Sequence, residues 1–313
     1  MVREKMPSMR NGEMAALSNE RSGSTFLADI VSLFKGLVLV LNVLPVLTGF
    51  WLALHFTNTA FSETWSVFLL TIIGSTLVMA GALVLNNWYD VDIDTIMDRT
   101  KERPTVTGHF SLKAVLMTGL ALSAIGFVLL LFTTFEATVY AFIGWFTYVI
   151  LYTMWSKRKY TLNTAIGSVS GAVTPLIGWA VIAPGYHIVP IVFALLLFIW
   201  QMPHTFAIAI KKFDEYKAAK VAMLPVVRGI PMTKRQTVIY VACLMPLPFL
   251  LSSLGTTFMA VTTVLNVVWL VATITGFFAK DDKKWAQTMF LFSVNYLAII
   301  FLVAIIVTFP VFN

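Results

Sequence analysis

An all-α polytopic membrane protein is the fold class that three features of this sequence predict. Of its 313 residues 58% are hydrophobic and only 12% charged, with a mean hydropathy of +0.84; a soluble domain carries about 25% charged residues. Apolar runs of roughly 18 residues or more, long enough to cross a bilayer as helices, recur from end to end. They lack the period-2 alternation of an outer-membrane barrel. The third feature is the placement of the charges between those runs.

Nine candidate spans lie near residues 29–56, 66–88, 113–134, 137–155, 164–182, 187–210, 238–256, 260–278 and 287–310. Residues 1–28 are polar and lack the short apolar core of a cleavable signal peptide, so they read as a flexible tail on a single transmembrane domain, 29–313. The single cysteine, Cys243, lies inside an apolar run. It rules out a disulfide framework, a Cys-based zinc site and Cys-anchored haem.

The 22 Lys and Arg residues are segregated. Four lie in the tail, four in the 89–113 loop (Arg99, Lys101, Arg103, Lys113) and three in the 156–163 turn (Lys157, Arg158, Lys159). Seven lie in the 211–237 loop, three in the 279–286 turn, and Lys35 sits toward the tail side of the first span. The four alternate loops and the segment Phe309 to Asn313 hold none. The positive-inside rule then predicts a cytoplasmic N-terminus, an odd number of spans and a C-terminus outside. Anionic lipid accounts for most of these cations, without any nucleic-acid partner.

Five of the 15 acids fall in one stretch, from Asn86 to Pro104, at the cytoplasmic end of the second span. Asn86, Asp90, Asp94 and Asp98 are spaced by four, so neighbours share a helical face, whereas Asp92 falls roughly opposite. Pro104 disfavours a helix continuing through the loop. Like charges four apart destabilise a helix, which calls for cations among them. Those cations are either Arg99, Lys101 and Arg103 around a solvated helix end, or a divalent metal. Mg²⁺ favours one or two carboxylates, with water and substrate phosphate completing its shell. Adjacent Arg and Lys then hold the remaining phosphate charge. Carboxylates beside cations at a membrane face suggest a diphosphate whose apolar tail lies in lipid. A second acidic pair, Asp214-Glu215, follows the sixth span and faces the same compartment by parity. It is either a loop pair neutralising Lys211 and Lys212 or a second metal site on the same diphosphate.

The run from Asn86 to Gly108, with Asp90 and Asp94 in register, resembles the UbiA-like intramembrane prenyltransferases, and more narrowly their haem-farnesylating branch. Three further blocks carry the narrower likeness: Tyr152 to Asn163, Gly167 to Trp179, and Gln201-Met202-Pro203-His204 running on to Met223 through Gly229. The chain departs from the family pattern at Thr205, Ala222, Lys220 and Thr174-Pro175. The resemblance implies nine helices around a central cavity, with the acidic motifs at its cytoplasmic mouth and the protein in the plasma membrane. It implies Mg²⁺-dependent transfer of farnesyl from farnesyl diphosphate to a vinyl group of haem b, giving haem O for terminal oxidases. A downstream haem A-forming enzyme is then a candidate partner.

On this reading Asp90 and Asp94 hold the metal, with Asn86 as a neutral oxygen ligand or a hydrogen-bond donor behind them. Asp98, Arg99, Lys101, Arg103, Lys157, Arg158, Asp214 and Glu215 bind substrate around the mouth. An apolar cavity shields the allylic cation from water. Among the four histidines, His55, His109 and His187 lie toward the two faces, and only His204 sits deep in a span, where an ionisable side chain is costly. It has two readings: a helix–helix hydrogen bond or a contact to haem. Two rival functions share parts of this pattern. A quinone-pathway prenyltransferase has the same acidic motifs, but the blocks around Lys157-Arg158 and His204 favour haem. A secondary transporter places its charges near the midplane and often contains inverted repeats; here the acids sit at one face.

Overall fold

The computed structural model describes Phe26 and residues 28–309, so the tail and the last four residues fall almost wholly outside it. Every regular element among the described residues is helical. The long helices are α1 (Gly36–Thr57), α2 (Phe61–Tyr89), α3 (Leu112–Leu131) and α4 (Phe135–Phe146), the last continuing as a π-helix over Thr147–Ser156. Two shorter helices follow, α5 (Asn163–Ala172) and α6 (Thr174–Ala180). Then come α7 (Ile188–Lys211), α8 (Ile230–Cys243), α9 (Gly255–Ile274) and α10 (Asp282–Val307).

Seven of these stretches are long and apolar enough to cross a membrane, making this a multi-pass membrane protein. The other two expected spans are broken by proline. Pro175 enters the fifth at the first turn of α6, three residues after α5 ends at Ala172. The seventh starts earlier than expected, with Pro231 in the first turn of α8. It stops at Cys243, ahead of Pro246 and Pro248, which open a separate turn at Leu247–Leu250. The first span is also shorter than the apolar run: Lys35 adopts a left-handed backbone (φ 49°) and α1 begins only at Gly36.

Side chains close several helix starts: Ser111 accepts from Ala114 N, Thr134 from Ala137 N, and Asp281 from Lys283 and Lys284 N. Glycines bring α2 and α3 into backbone contact. A Cβ on Gly126 would fall 2.7 Å from the Gly74 carbonyl oxygen, and one on Gly119 would meet Leu85. Small residues at crossings are how helices pack when lipid supplies no hydrophobic drive. The largest apolar core lies between α7 and α10, around Phe193, Phe258, Trp269, Tyr296 and Phe301. On the other side, α2, the π-helix, α5 and α7 stand apart enough to leave a cavity.

Candidate active site

Helix α2 ends at Tyr89, yet the Asp90 amide still donates to Asn86 O (3.0 Å) and the Asp94 amide to Asp90 O (2.9 Å). Helical register therefore persists through the short turn Val91–Asp94. It puts Asn86, Asp90 and Asp94 on one face, exposed by only 3%, 1% and 4%. Asp92 turns outward, with 66% of its side chain exposed. The chain leaves the helix after Asp94, so the stripe ends one step earlier than the four-residue spacing predicts. Asp98 stands in solvent and pairs with Lys101 at 3.0 Å.

Cations from three other segments converge on this face. Lys157 donates to Asp90, Arg103 to Asp94 at 2.5 Å, and Lys35 to Asn86 Oδ1 at 2.5 Å. The Asn86 amide donates to Asp90 Oδ2 (2.7 Å) and Thr153 Oγ1 (3.1 Å). Arg158 forks onto Asp92 at 2.6 and 2.7 Å and comes within 3.6 Å of Asp90 Oδ1. Its guanidinium holds the Asp92 carboxyl below the usual carboxylate range, as Lys101 does for Asp98 and Lys283 for Asp214.

Asn86, Asp94, Lys35, Arg103 and Lys157 line a polar mouth of about 540 Å³ together with Arg99, Tyr148, Tyr152 and Tyr216, and Asp90 sits behind this lining, held by Asn86 and Lys157. Tyr148 and Tyr152 are shared with a larger chamber of about 1050 Å³ between the helices, lined mainly by apolar and small residues such as Val78, Met79, Leu83, Gly144 and Ile177. Both tyrosines ride on the π-helix, where the Lys157 amide reaches back five residues to Tyr152 O at 2.9 Å. The wider turn re-aims one helix face, a feature that recurs at functional sites.

Several expected residues lie elsewhere. Asp214 pairs with Lys283 at 2.8 Å on the surface and Glu215 with Lys212 at 2.5 Å; neither lines the mouth, whereas the next residue, Tyr216, does. His204 Nδ1 lies 2.7 Å from Ser293 Oγ, its ring stacked on Trp200 with centroids 4.6 Å apart. It thus faces α10, while its neighbours Gln201 and Thr205 line the chamber. Lys35, Tyr148, Tyr152 and Tyr216 were not singled out from the sequence as site residues. A lone cation opening an apolar run, and two tyrosines one turn apart just before Lys157, were the available signals.

The oxygen donors on this helix face fit a hard divalent cation. Asn86, Asp90 and Asp94 offer only oxygen, and Asp90 Oδ1 is buried without a hydrogen-bond donor. Among the described residues no three His, Cys, Asp or Glu side chains form a ready metal cage. Two carboxylates leave the remaining positions to water and phosphate oxygens, the habit of Mg²⁺.

A helical bundle with a carboxylate- and cation-lined mouth opening on an apolar chamber defines an intramembrane prenyltransferase. The chain belongs to the UbiA prenyltransferase family, whose sequence pattern matches residues 42–296, and the resemblance read from Asn86 onward is borne out. A relative from Oceanobacillus iheyensis, a protoheme IX farnesyltransferase, is 56% identical over 299 residues, covering 95% of each chain. Among solved structures, one of digeranylgeranylglyceryl phosphate synthase superposes with a TM-score of 0.70 at 18% identity, covering 90% of this chain and 98% of the other. A UbiA homologue from Archaeoglobus fulgidus bound to DMAPP and Mg²⁺ superposes at 0.67 and 16% identity, covering 88% and 99%.

Proposed function

We propose that this chain transfers the farnesyl group of farnesyl diphosphate to a vinyl group of haem b, giving haem O. The observation that carries the reading is the junction at Tyr148 and Tyr152, where a mouth suited to diphosphate meets a chamber suited to an isoprenoid tail. The 56% identity to a protoheme IX farnesyltransferase supports the choice of acceptor. In the proposed topology α5–α6 and α8 with its following turn complete nine crossings. The N-terminus and the mouth then face the cytoplasm and the C-terminus lies outside the plasma membrane.

Asp90 and Asp94, with Asn86 beside them, would hold Mg²⁺, which when bound neutralises charge on the diphosphate. Lys35, Arg99, Arg103 and Lys157 take up the phosphate oxygens and stabilise the negative charge that grows as the allylic C–O bond breaks. Arg158, anchored by Asp92, stands at the rim, where it can meet a phosphate or a haem propionate. Asp98, Lys101, Asp214 and Glu215 lie further out, along the approach of charged substrate. Tyr148 and Tyr152 separate the wet mouth from the dry chamber in which the cation meets the vinyl carbon. The test is purified protein with farnesyl diphosphate, haem b and Mg²⁺, read by the mass of the haem product. Farnesylated haem supports the reading, and prenylation of a small aromatic acid in place of haem would overturn it.

A further inference from the structure

We infer that Gln201, with Thr205 one turn further along α7, holds the water molecule that ends the reaction. The inference rests on the farnesyl-transfer reading above and on a mismatch in the chamber wall. The wall's hydroxyls are mostly turned back on their own helices: Ser75 donates to Thr71 O, Ser168 to Thr164 O, Ser170 to Gly167 O and Thr174 to Gly171 O. Such back-bonded hydroxyls have spent their donors. The Asn42 amide is likewise bonded to Val38 O. Gln201 breaks the pattern, because its Oε1 is buried and accepts no hydrogen bond from the protein. Facing it is Gly171, where a Cβ would collide with the Gln201 amide, so the helix crossing keeps room for this one polar head. A buried acceptor left unmet is costly, and water is the usual partner for one.

The chemistry requires such a water. Ionisation breaks the C–O bond of the allylic diphosphate, and the bonding pair leaves with diphosphate. The vinyl π pair forms the new C–C bond, which leaves a cation on the vinyl carbon next to the ring. That cation has two ends. Loss of a proton gives a diene, whereas attack by water forms a C–O bond and releases a proton that the departing diphosphate accepts. A chamber dry enough to protect the first cation must still deliver one water to the second. A water donating to Gln201 Oε1, with Thr205 beside it, keeps a lone pair free for that attack. Gln201 is thus a positioning residue acting through water.

The test compares wild type, Gln201→Leu, Gln201→Asn and Thr205→Val as full chains with farnesyl diphosphate, haem b and Mg²⁺, resolving products by mass. Wild type should give the hydroxylated product. In Gln201→Leu the ratio of the product lighter by one water to the hydroxylated product should rise roughly tenfold, the scale of one lost hydrogen bond to a polarised partner. Gln201→Asn should restore part of the wild-type ratio. If Gln201→Leu does not fold, Thr205→Val and Gln201→Asn carry the same readout. Lower turnover with an unchanged product ratio in every folded variant would overturn the inference. A wild type that farnesylates no haem would instead overturn the functional reading, and the inference with it.

Discussion

The mouth and the back wall of this bundle both bury polar groups, but of different kinds. At the mouth, cations meet acidic or amide side chains: Lys157 on Asp90 and Lys35 on Asn86 from distant segments, and Arg103 on Asp94 from nine residues away. In the back wall the buried groups are mainly neutral. Asn266 donates to Leu244 O (2.8 Å) and accepts from Tyr296 (2.7 Å), and Trp200 donates to Ser293 O (2.8 Å). Buried ion pairs are weak contributors to stability, because desolvation offsets their attraction. Neutral hydrogen bonds carry a smaller desolvation cost and fix the packing. Ionic polarity therefore marks where charge is to be exchanged with a ligand, and neutral polarity marks where helices are fastened.

The largest expected effect tests the mouth. Asp90→Ala and Asp94→Ala should each lower turnover by roughly 10²–10³-fold, the scale for losing electrostatic stabilisation of a developing charge. Lys157 and Arg103 keep only 14% and 13% of their side chains exposed, so losing a partner also lowers the thermal midpoint, but by far less than turnover falls. Turnover near wild type in either variant would break the contrast. The reverse pattern is expected in the back wall. Asn266→Ala leaves the Tyr296 hydroxyl buried without its acceptor and takes one of two donors from the Leu244 carbonyl, which keeps the Leu247 amide, a loss of about 1–3 kcal/mol. Its denaturation midpoint should fall, while turnover per folded molecule stays at the wild-type value.

How far each region can be read from the sequence follows the same division. Asn86, Asp90 and Asp94 were legible because one helix carries them at a fixed spacing, and a short-range rule locates them. Asp98 obeys the same spacing but lies beyond the helix end, which spacing alone does not reveal. Lys35, Tyr148 and Tyr216 reach the mouth through packing between segments far apart in the chain, so no local pattern announces them. The seven long spans were legible from hydropathy, whereas α5–α6 and α8 are shortened by prolines whose effect depends on where the neighbouring helices allow a break. The π-helix over Thr147–Ser156 has no local sequence signal, because hydropathy and spacing do not distinguish its five-residue hydrogen bonds from those of an α-helix.

His204 lies between the two regions. Its ring meets Ser293 and Trp200, which belong to the back wall, while Gln201 on the same helix lines the chamber. The packing favours the helix–helix hydrogen bond over a contact to haem. His204→Ala should then cost about 1 kcal/mol of stability and leave the affinities for haem and farnesyl diphosphate equal to those of wild type. A variant of normal thermal stability whose haem affinity or bound-haem absorption spectrum changes would reassign His204 to the substrate.

The smallest expected effect falls on Asp92, and it bears on the one-face geometry most directly. Asp92 and Asp90 are two residues apart and carry the same charge, and Arg158 reaches toward both. They differ in orientation, Asp90 being buried behind the mouth and Asp92 exposed on the rim. Exposed pairs of this kind contribute about 0.2–1 kcal/mol. Removing Asp92 also frees Arg158 to close the 3.6 Å gap to Asp90, so the mouth keeps its cation. Asp92→Ala should therefore hold turnover within roughly fivefold of wild type, the factor for about 1 kcal/mol. Removing this anion also lessens repulsion of the anionic diphosphate, an effect that should grow as salt is lowered, because exposed charges are screened within about 10 Å at 0.1 M salt. A loss as deep as that of Asp90→Ala, insensitive to salt, would mean that the outward-facing carboxylate takes part in binding the diphosphate. The register through Val91–Asp94 would then no longer separate site from surface.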